Sequence, residues 1–413
     1  MRKTHVLTDY IYAKRTLKLG MYIKMMIIPL FLCIGLSASA EPLLAGELIF
    51  PTQAKHVHSS SIIECPNGDL MACWFYGTGE RRSSDVVIQG ARLKKGSKQW
   101  SPVFQMADTH EIPDCNPVLF VDKKDELWVL WIAVLATRWE DSILKYRKSN
   151  DYYSDGAPKW YWQDDIILKP GEQFAKDMEK GFKEMNYPEI DFGSYAPHPL
   201  ESLVEAAKNS SYRQRGWMTR THLNVLPDGR ILIPLYSDGF YVCLMAISDD
   251  DGETWRASSP IVGVGLNQPS VVRKKDGELV AYMRDEGPAP KRIQVSESKD
   301  NGETWSLAHE SDIPNPDASI EAIALQDSRW VMAFNDQEDG RDRLALAMSD
   351  DEGKTWKWKR HIEMKSGCAY HYPSIIQTRD GLIHVTYTYD VGGKAGRSIK
   401  HVALNAEWIL QGN

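Results

Sequence analysis

Residues suited to binding a carboxylate and moving a proton stand beside short apolar runs that lie far apart in the chain. His58 opens the first run, and Arg82 and Asp85 follow its partner. Arg220 and His222 precede a later run, Arg284 leaves the next pair, Glu321 opens another, and Tyr370 and His371 open the last. Arginine's planar fork matches a carboxylate through two parallel hydrogen bonds, which makes Arg82, Arg220 and Arg284 carboxylate readers or else salt-bridge partners. His58 and His371 are read as ligand contacts. His222 is read as an acid or base, because Arg220-Thr221-His222 puts Arg and His on one strand face. A charge at Glu321, inside Ala318-Ser319-Ile320-Glu321-Ala322-Ile323, needs a partner or a chemical role. Asp85 either caps a turn or serves as a buried acid of raised pKa. Tyr370 is taken as the phenolic site residue, and Tyr372, next to Pro373, as a packing residue.

These groups meet only if the chain returns repeatedly to one axis. Ser-x-Asp-x-Gly-x-Thr-Trp occurs at Ser248, Ser298 and Ser349, with starts 50 and 51 residues apart, a period that marks repeat architectures. Asp supplies turn hydrogen bonds, Gly permits positive φ and Trp packs the hairpin, so these Asp residues are structural. Lys94 to Trp100 resembles a worn fourth copy. Six turns flanked by apolar alternation, at Asn67-Gly68, Asp125-Glu126, Asp228-Gly229, Asp276-Gly277, Asp327-Ser328 and Asp380-Gly381, each separate two short strands. Asn116-Pro117, Gln268-Pro269 and Tyr372-Pro373 mark strand starts. Six units predict an all-β fold, a six-bladed β-propeller over residues 41–413. A partly helical insertion is expected at about 139–211, with helical patterns at 171–183 and 200–208. Residues 48–50 are expected to pair with a strand near 398–404 and close the ring.

The repeats resemble the sialidase (neuraminidase) superfamily, specifically the BNR-repeat, Asp-box, sialidase-like secreted bacterial proteins, over residues 55–405. Fragments such as Cys115-Asn116-Pro117-Val118-Leu119-Phe120 and Tyr372-Pro373-Ser374-Ile375-Ile376 carry the likeness. The resemblance implies three arginines on a substrate carboxylate, a Tyr–Glu nucleophile pair and an Asp acid/base. The Arg-Ile-Pro hallmark is absent, and His58-Ser59-Ser60-Ser61-Ile62 stands in its place. Glu321, Tyr370 and Arg397 stand in only loosely for later family elements. The function expected is an exo-acting glycoside hydrolase on an anionic, sialic-acid- or uronate-containing glycan. The alternatives are a lyase cleaving uronate linkages by β-elimination and a non-catalytic carbohydrate-binding propeller. Trp74, Tyr76, Trp139, Trp160 and Trp162 are candidates to stack on sugars or to pack.

Composition bounds these readings. Lys14, Arg15, Lys18 and Lys24 precede an apolar run over 25–36 closed by Ala38-Ser39-Ala40, so residues 1–40 read as a signal peptide and the product as secreted, periplasmic or at the cell surface. The run is shorter than the roughly 20 residues a bilayer needs and carries Pro29, which argues against stable membrane insertion after cleavage. Removing 1–40 moves the formal net charge from -7 to about -12, unsuited to a nucleic-acid partner. The odd, widely spaced set Cys65, Cys73, Cys115, Cys243 and Cys368 suggests small buried apolar groups, not a disulfide framework. No GxGxxG, phosphate-loop or HExxH pattern implies a cofactor. A structural calcium is left open.

Overall fold

The computed structural model describes residues 41–185, 200–393 and 396–412; the expected signal peptide lies outside them. Six four-stranded antiparallel sheets follow one another as blades. Their innermost strands are His56–Glu64, Asp114–Val121, Asn224–Val225, Leu266–Arg273, Glu321–Ala324 and Ala369–Gln377. Each turns at one of the six predicted hairpins into a second strand whose residues are nearly all buried. The fourth strand of the last blade is the N-terminal segment Leu44–Leu48, which pairs with Arg397–Leu404 from Leu44 opposite Leu404 to Leu48 opposite Lys400. Ring closure thus occurs as expected, with a strand that starts four residues earlier.

The insertion is shorter than expected. Ser142–Ser149 and Trp162–Ile166 are the third and fourth strands of the second blade, so the inserted segment begins only after Ile166. Its helices Glu172–Glu184 and Leu200–Lys208 match the predicted patterns. Phe174, Ala175, Met178 and Phe182 form the buried stripe of the first. Gly181 lets that helix touch Val262, where a Cβ would come within 2.8 Å of its side chain.

The three Asp boxes are structural. Asp250 accepts from the Thr254 amide (2.9 Å) and hydroxyl (2.6 Å), while Ser248 Oγ accepts from the Gly252 amide at 2.8 Å. The Thr254 hydroxyl and amide hold Asp250 down at about 2. Asp300 and Asp351 repeat the pattern. Gly252 has φ +84°, and a Cβ there would sit 2.5 Å from the Trp128 ring of the preceding blade.

Four inner strands carry a β-bulge at the same register: between His58 and Ser61, Cys115 and Val118, Asn267 and Ser270, and His371 and Ser374. Ser59, Asn116, Gln268 and Tyr372 within them have φ between 46° and 58°. A bulge inserts a residue and re-aims its neighbours. Just past the bulges the blades are hooked together. Ser61 Oγ accepts from the Leu119 amide (3.1 Å), Ser270 Oγ from Ala322 (3.0 Å) and Ser374 Oγ from Ile62 (3.3 Å), each in the following blade of the ring.

Candidate functional site

The ends of the propeller axis differ. One end carries the six hairpin turns; the other, the mouth, carries the loops between second and third strands and the links between blades. Toward the mouth the bulges aim polar side chains at the axis, and Tyr372 is their focus. Its hydroxyl receives hydrogen bonds from Arg284 Nη1 (2.9 Å) and Gln268 Nε2 (3.1 Å). Its ring lies 4.2 Å from the His58 ring, 5.0 Å from the Arg220 guanidinium and 5.8 Å from that of Arg341. Asn116 donates to Tyr236 Oη at 2.9 Å beside the same cluster.

Arginines and carboxylates surround this floor. Arg284 also contacts Glu286 (2.8 Å) and Asp317 (2.7 Å). Arg341 donates to His371 Nδ1 at 3.0 Å and to the Asp317 carbonyl. Arg397 donates to His56 Nδ1 at 2.6 Å and pairs with Asp390. Guanidinium only donates, so His371 and His56 accept at Nδ1 and carry their protons on Nε2. Burial, then the Arg397 charge, lowers His56 to about 4. Burial with His371, and burial with Arg341, hold His58 and His371 well below the usual imidazole range. Three neutral imidazoles therefore line the wall at neutral pH. Glu80, in the loop after Leu70–Gly77, is raised by burial even though Arg81, Arg284, Arg397 and Arg341 act to lower it. An upward shift of a mouth carboxylate is the direction that general-acid work uses.

Deeper along the axis lies a second polar layer. Glu321 occupies the register position of Ser61, Ser270 and Ser374, and its Oε2 accepts from the Ile375 amide of the next blade at 2.8 Å. Its Oε1 accepts from His222 N (2.7 Å) and pairs with His222 Nδ1 (2.9 Å), while His222 Nε2 faces the Ile62 carbonyl at 2.7 Å. Both ring nitrogens face acceptors, the geometry of an imidazolium. Burial opposes that charge, but Glu321 and the Ile62 carbonyl outweigh it and raise His222; burial raises Glu321, but His222 outweighs it and lowers the carboxyl. His222 opens on the hairpin-turn end, in a hollow of about 280 Å³ with Ile63, Val121 and Gln377.

The BNR repeat-like domain family matches residues 68–182 and 215–385, well over half of the chain. The chain belongs to that family. A sialidase of Micromonospora viridifaciens is 28% identical over 181 residues, 41% of this chain and 26% of that protein. The curated relatives it matches are covered over only 23% to 31% of their length. Among solved structures, a protein of unknown function from Dyadobacter fermentans superposes with a TM-score of 0.64 at 16% identity, covering 88% of this chain and 99% of that one. A Hadza microbial sialidase gives 0.64 at 15% identity, covering 88% and 69%. At such identities the structures share the propeller fold.

Within this BNR propeller the sequence-predicted residues divide. His58, Arg284 and His371 meet at the basin. Arg220 reaches its underside, 1% exposed, and donates through Nη2 to the Pro373 carbonyl at 2.8 Å. His222 and Glu321 are not in the basin: their pair bridges blades in the layer below. Asp85 is exposed and accepts from Thr78 and Ser83, with Lys55 at 3.2 Å. Thr78 chiefly holds it well below the usual carboxylate range, opposite to the raised pKa expected of an acid. Arg82 is exposed, whereas half-buried Arg81 lies over the Trp139 ring at 5.2 Å. Tyr370 turns into the core against Tyr387 and Tyr389, and Tyr372 takes the place assigned to it. Tyr370 and Tyr372 would share a face in a regular strand; the bulge separates them. The resemblance implied a Tyr–Glu pair, but Tyr372 is partnered by an amide and a guanidinium. Of the candidate sugar-stacking rings, Trp74 is in the core and Trp162 lies on the outermost strand. Sequence reasoning missed Tyr372, Glu80, Gln268 and Arg341; the shared X-Pro step at Gln268 and Tyr372 was the available signal. All five cysteines in the described residues are free, four of them buried. Among the described residues no His, Cys, Asp or Glu cluster suits a metal ion, and no helix is long and apolar enough to cross a membrane.

Proposed function

We propose that this chain is a secreted, exo-acting glycoside hydrolase of the sialidase-like type, acting on a terminal anionic sugar. The observation that carries the reading is Tyr372 at the floor of the basin, its oxygen receiving two N–H donors and its ring held between His58 and Arg220. Donors aimed at that oxygen stabilise the negative charge that develops on it as its proton passes to a neutral imidazole of the wall. The oxygen attacks the anomeric carbon, and the bond to the glycosidic oxygen breaks as the new one forms. Arg341 and Arg397, with Arg284 behind them, provide the positive rim for a carboxylate. Glu80 supplies the proton to the departing glycosidic oxygen. The sialidase names among the relatives support the same reaction class.

Elimination at a uronate is the second reading, favoured by neutral His58 and His371 beside Arg341, a base next to a carboxylate-binding cation. One experiment separates the two. Purified protein is incubated with sialosides and with uronate-rich oligosaccharides while reducing ends and ultraviolet absorbance are followed. Hydrolysis releases reducing sugar without a new chromophore, whereas elimination creates an unsaturated, absorbing product. Tyr372→Phe is expected to lose about a thousandfold or more in kcat, as removal of a covalent nucleophile does. Retention of wild-type turnover would remove Tyr372 from the chemistry.

A further inference from the structure

The strand that closes the ring, Leu44–Leu48, carries one half-buried side chain, Glu47. It stands opposite His401 in the backbone pairing. Its Oε1 accepts from Trp100 Nε1 of the first blade at 2.9 Å and lies 3.4 Å from His401 Nδ1 of the last blade. One carboxylate on the closing strand thus bridges the first blade and the last. The same joint carries the contacts of His58 with Thr388 (3.1 Å) and with the Tyr372 ring.

Behind His401 the chain of contacts continues. His401 Nε2 faces His384 Nδ1 of the adjacent strand at 2.9 Å. The ring planes are within 3° of parallel and the ring centres 5.2 Å apart. With the nitrogens that close, the imidazoles lie edge to edge and share an in-plane N–H···N bond. His384 and His401 are 7% and 4% exposed. His384 lines a hollow of about 440 Å³ between the last and first blades, together with Glu64, Lys94, Lys95, Arg379 and Asp380.

Two nitrogens facing each other at this distance hold one hydrogen between them, not two. His401 turns its other nitrogen to a carboxylate and carries a proton there. In the neutral pair, therefore, His384 Nδ1 donates and His401 Nε2 accepts. One further proton fits if His384 changes tautomer, with Glu47 as the counter-charge. Another sets two N–H groups and two positive charges against each other. Burial, then the charge of His401, lowers His384 to about 4, against the pull of Asp380. The hydrogen bond from His401 chiefly lowers Glu47. Trp100 does not titrate, and Asp380 is itself held low, chiefly by the Thr378 hydroxyl.

We propose that Glu47, His401 and His384 form an acid-released latch on ring closure: mild acid loads both imidazoles and the closing strand lets go. With the strand open, Glu47 leaves His401, the rings separate and each takes its own proton. The open strand binds protons more tightly than the closed one, so acid favours it. His384 is lowered in the closed form. Its contribution is complete above the free imidazole value of about 6.5 and declines as pH falls toward 4. Glu47 acts in the same direction lower down, its contribution being lost as pH falls through its folded value. The Glu321–His222 layer is at full strength over the same window, so the test reads the strand itself and not the melting of the whole molecule.

Hydrogen exchange of the whole chain, corrected for the intrinsic pH dependence of amide exchange, compares residues 44–48 with the outermost strand of the second blade, Trp162–Ile166. Between about pH 7 and pH 5 the protection of 44–48 is expected to fall about tenfold or more, and that of 162–166 to stay within about twofold. In His384→Asn the amide nitrogen replaces Nδ1 as donor without taking up charge. That variant is expected to keep the protection seen at neutral pH and to lose the response to acid. Steady protection of 44–48 down to pH 5, equal losses in both strands, or an unchanged acid response in folded His384→Asn overturns the latch. The first two outcomes are read on wild type alone and decide the matter even where the variant fails to fold.

Discussion

At the residue scale the proposed function rests on two exchanges: Tyr372 for Tyr370, and Glu80 for Asp85. In each case the two residues are near neighbours of similar type, and environment separates them. Asp85 is held by Thr78 and Ser83 on the exposed rim, so its charge is anchored in place and it stiffens the loop. Glu80 stands near four guanidiniums, with that of Arg81 4.0 Å away, yet desolvation still raises it. Glu80→Gln is therefore expected to lower kcat by about a hundredfold or more on glycosides with poor leaving groups, and much less on aryl glycosides. Asp85→Asn should leave turnover within about twofold of wild type. Steady-state kinetics on both substrate types checks the pair; equal losses on both would remove Glu80 from the role of acid.

At the element scale, the inner strands serve as linkers between blades as well as blade cores. Ser61, Ser270, Glu321 and Ser374 occupy one register position, and each accepts a backbone N–H from the next blade. At Glu321 the acceptor is a charge, neutralised across the axis by His222. His222 is raised in the folded state, so its contribution is complete below the unfolded imidazole pKa of about 6.5 and fades as pH rises through the folded value. Glu321 is lowered, so its contribution is complete above the unfolded carboxylate value near 4.5 and is lost as pH falls through the folded value. Thermal melts across pH should show wild-type stability greatest between those limits. Glu321→Gln leaves a buried imidazolium without its partner, or forces it neutral, and should cost about 3–5 kcal/mol between about pH 4.5 and 6.5. A Glu321→Gln Tm equal to wild type across that window would mean the pair contributes nothing to holding the ring.

At the scale of the whole molecule, stability depends on closing six weakly independent sheets into a ring. The N-terminal strand closes it through backbone pairing, since its side chains are mostly exposed. Deleting residues 41–48 uncovers the edge of Arg397–Leu404 and is expected to lower Tm and drive self-association, visible by light scattering; a monomer of unchanged Tm would contradict closure by that strand. The period, the six turns, the Asp boxes and the closing strand were legible in the chain because each is a local matter: hairpin geometry, positive φ, and alternation over a few residues. His58, Arg284 and His371 were legible as mouth residues because they lie at the mouth ends of their strands. Tyr372, Gln268, Glu80 and the burial of Glu321 in a seam were not, because a one-residue bulge reverses which side chains face the axis and because burial and partner charges come from other blades. Local patterning determined a six-bladed ring with polar groups at the strand starts. Which of those groups share a layer, and which carboxyl is raised and which lowered, was decided only when the blades were brought around one axis, since depth along that axis is a property of the assembled ring.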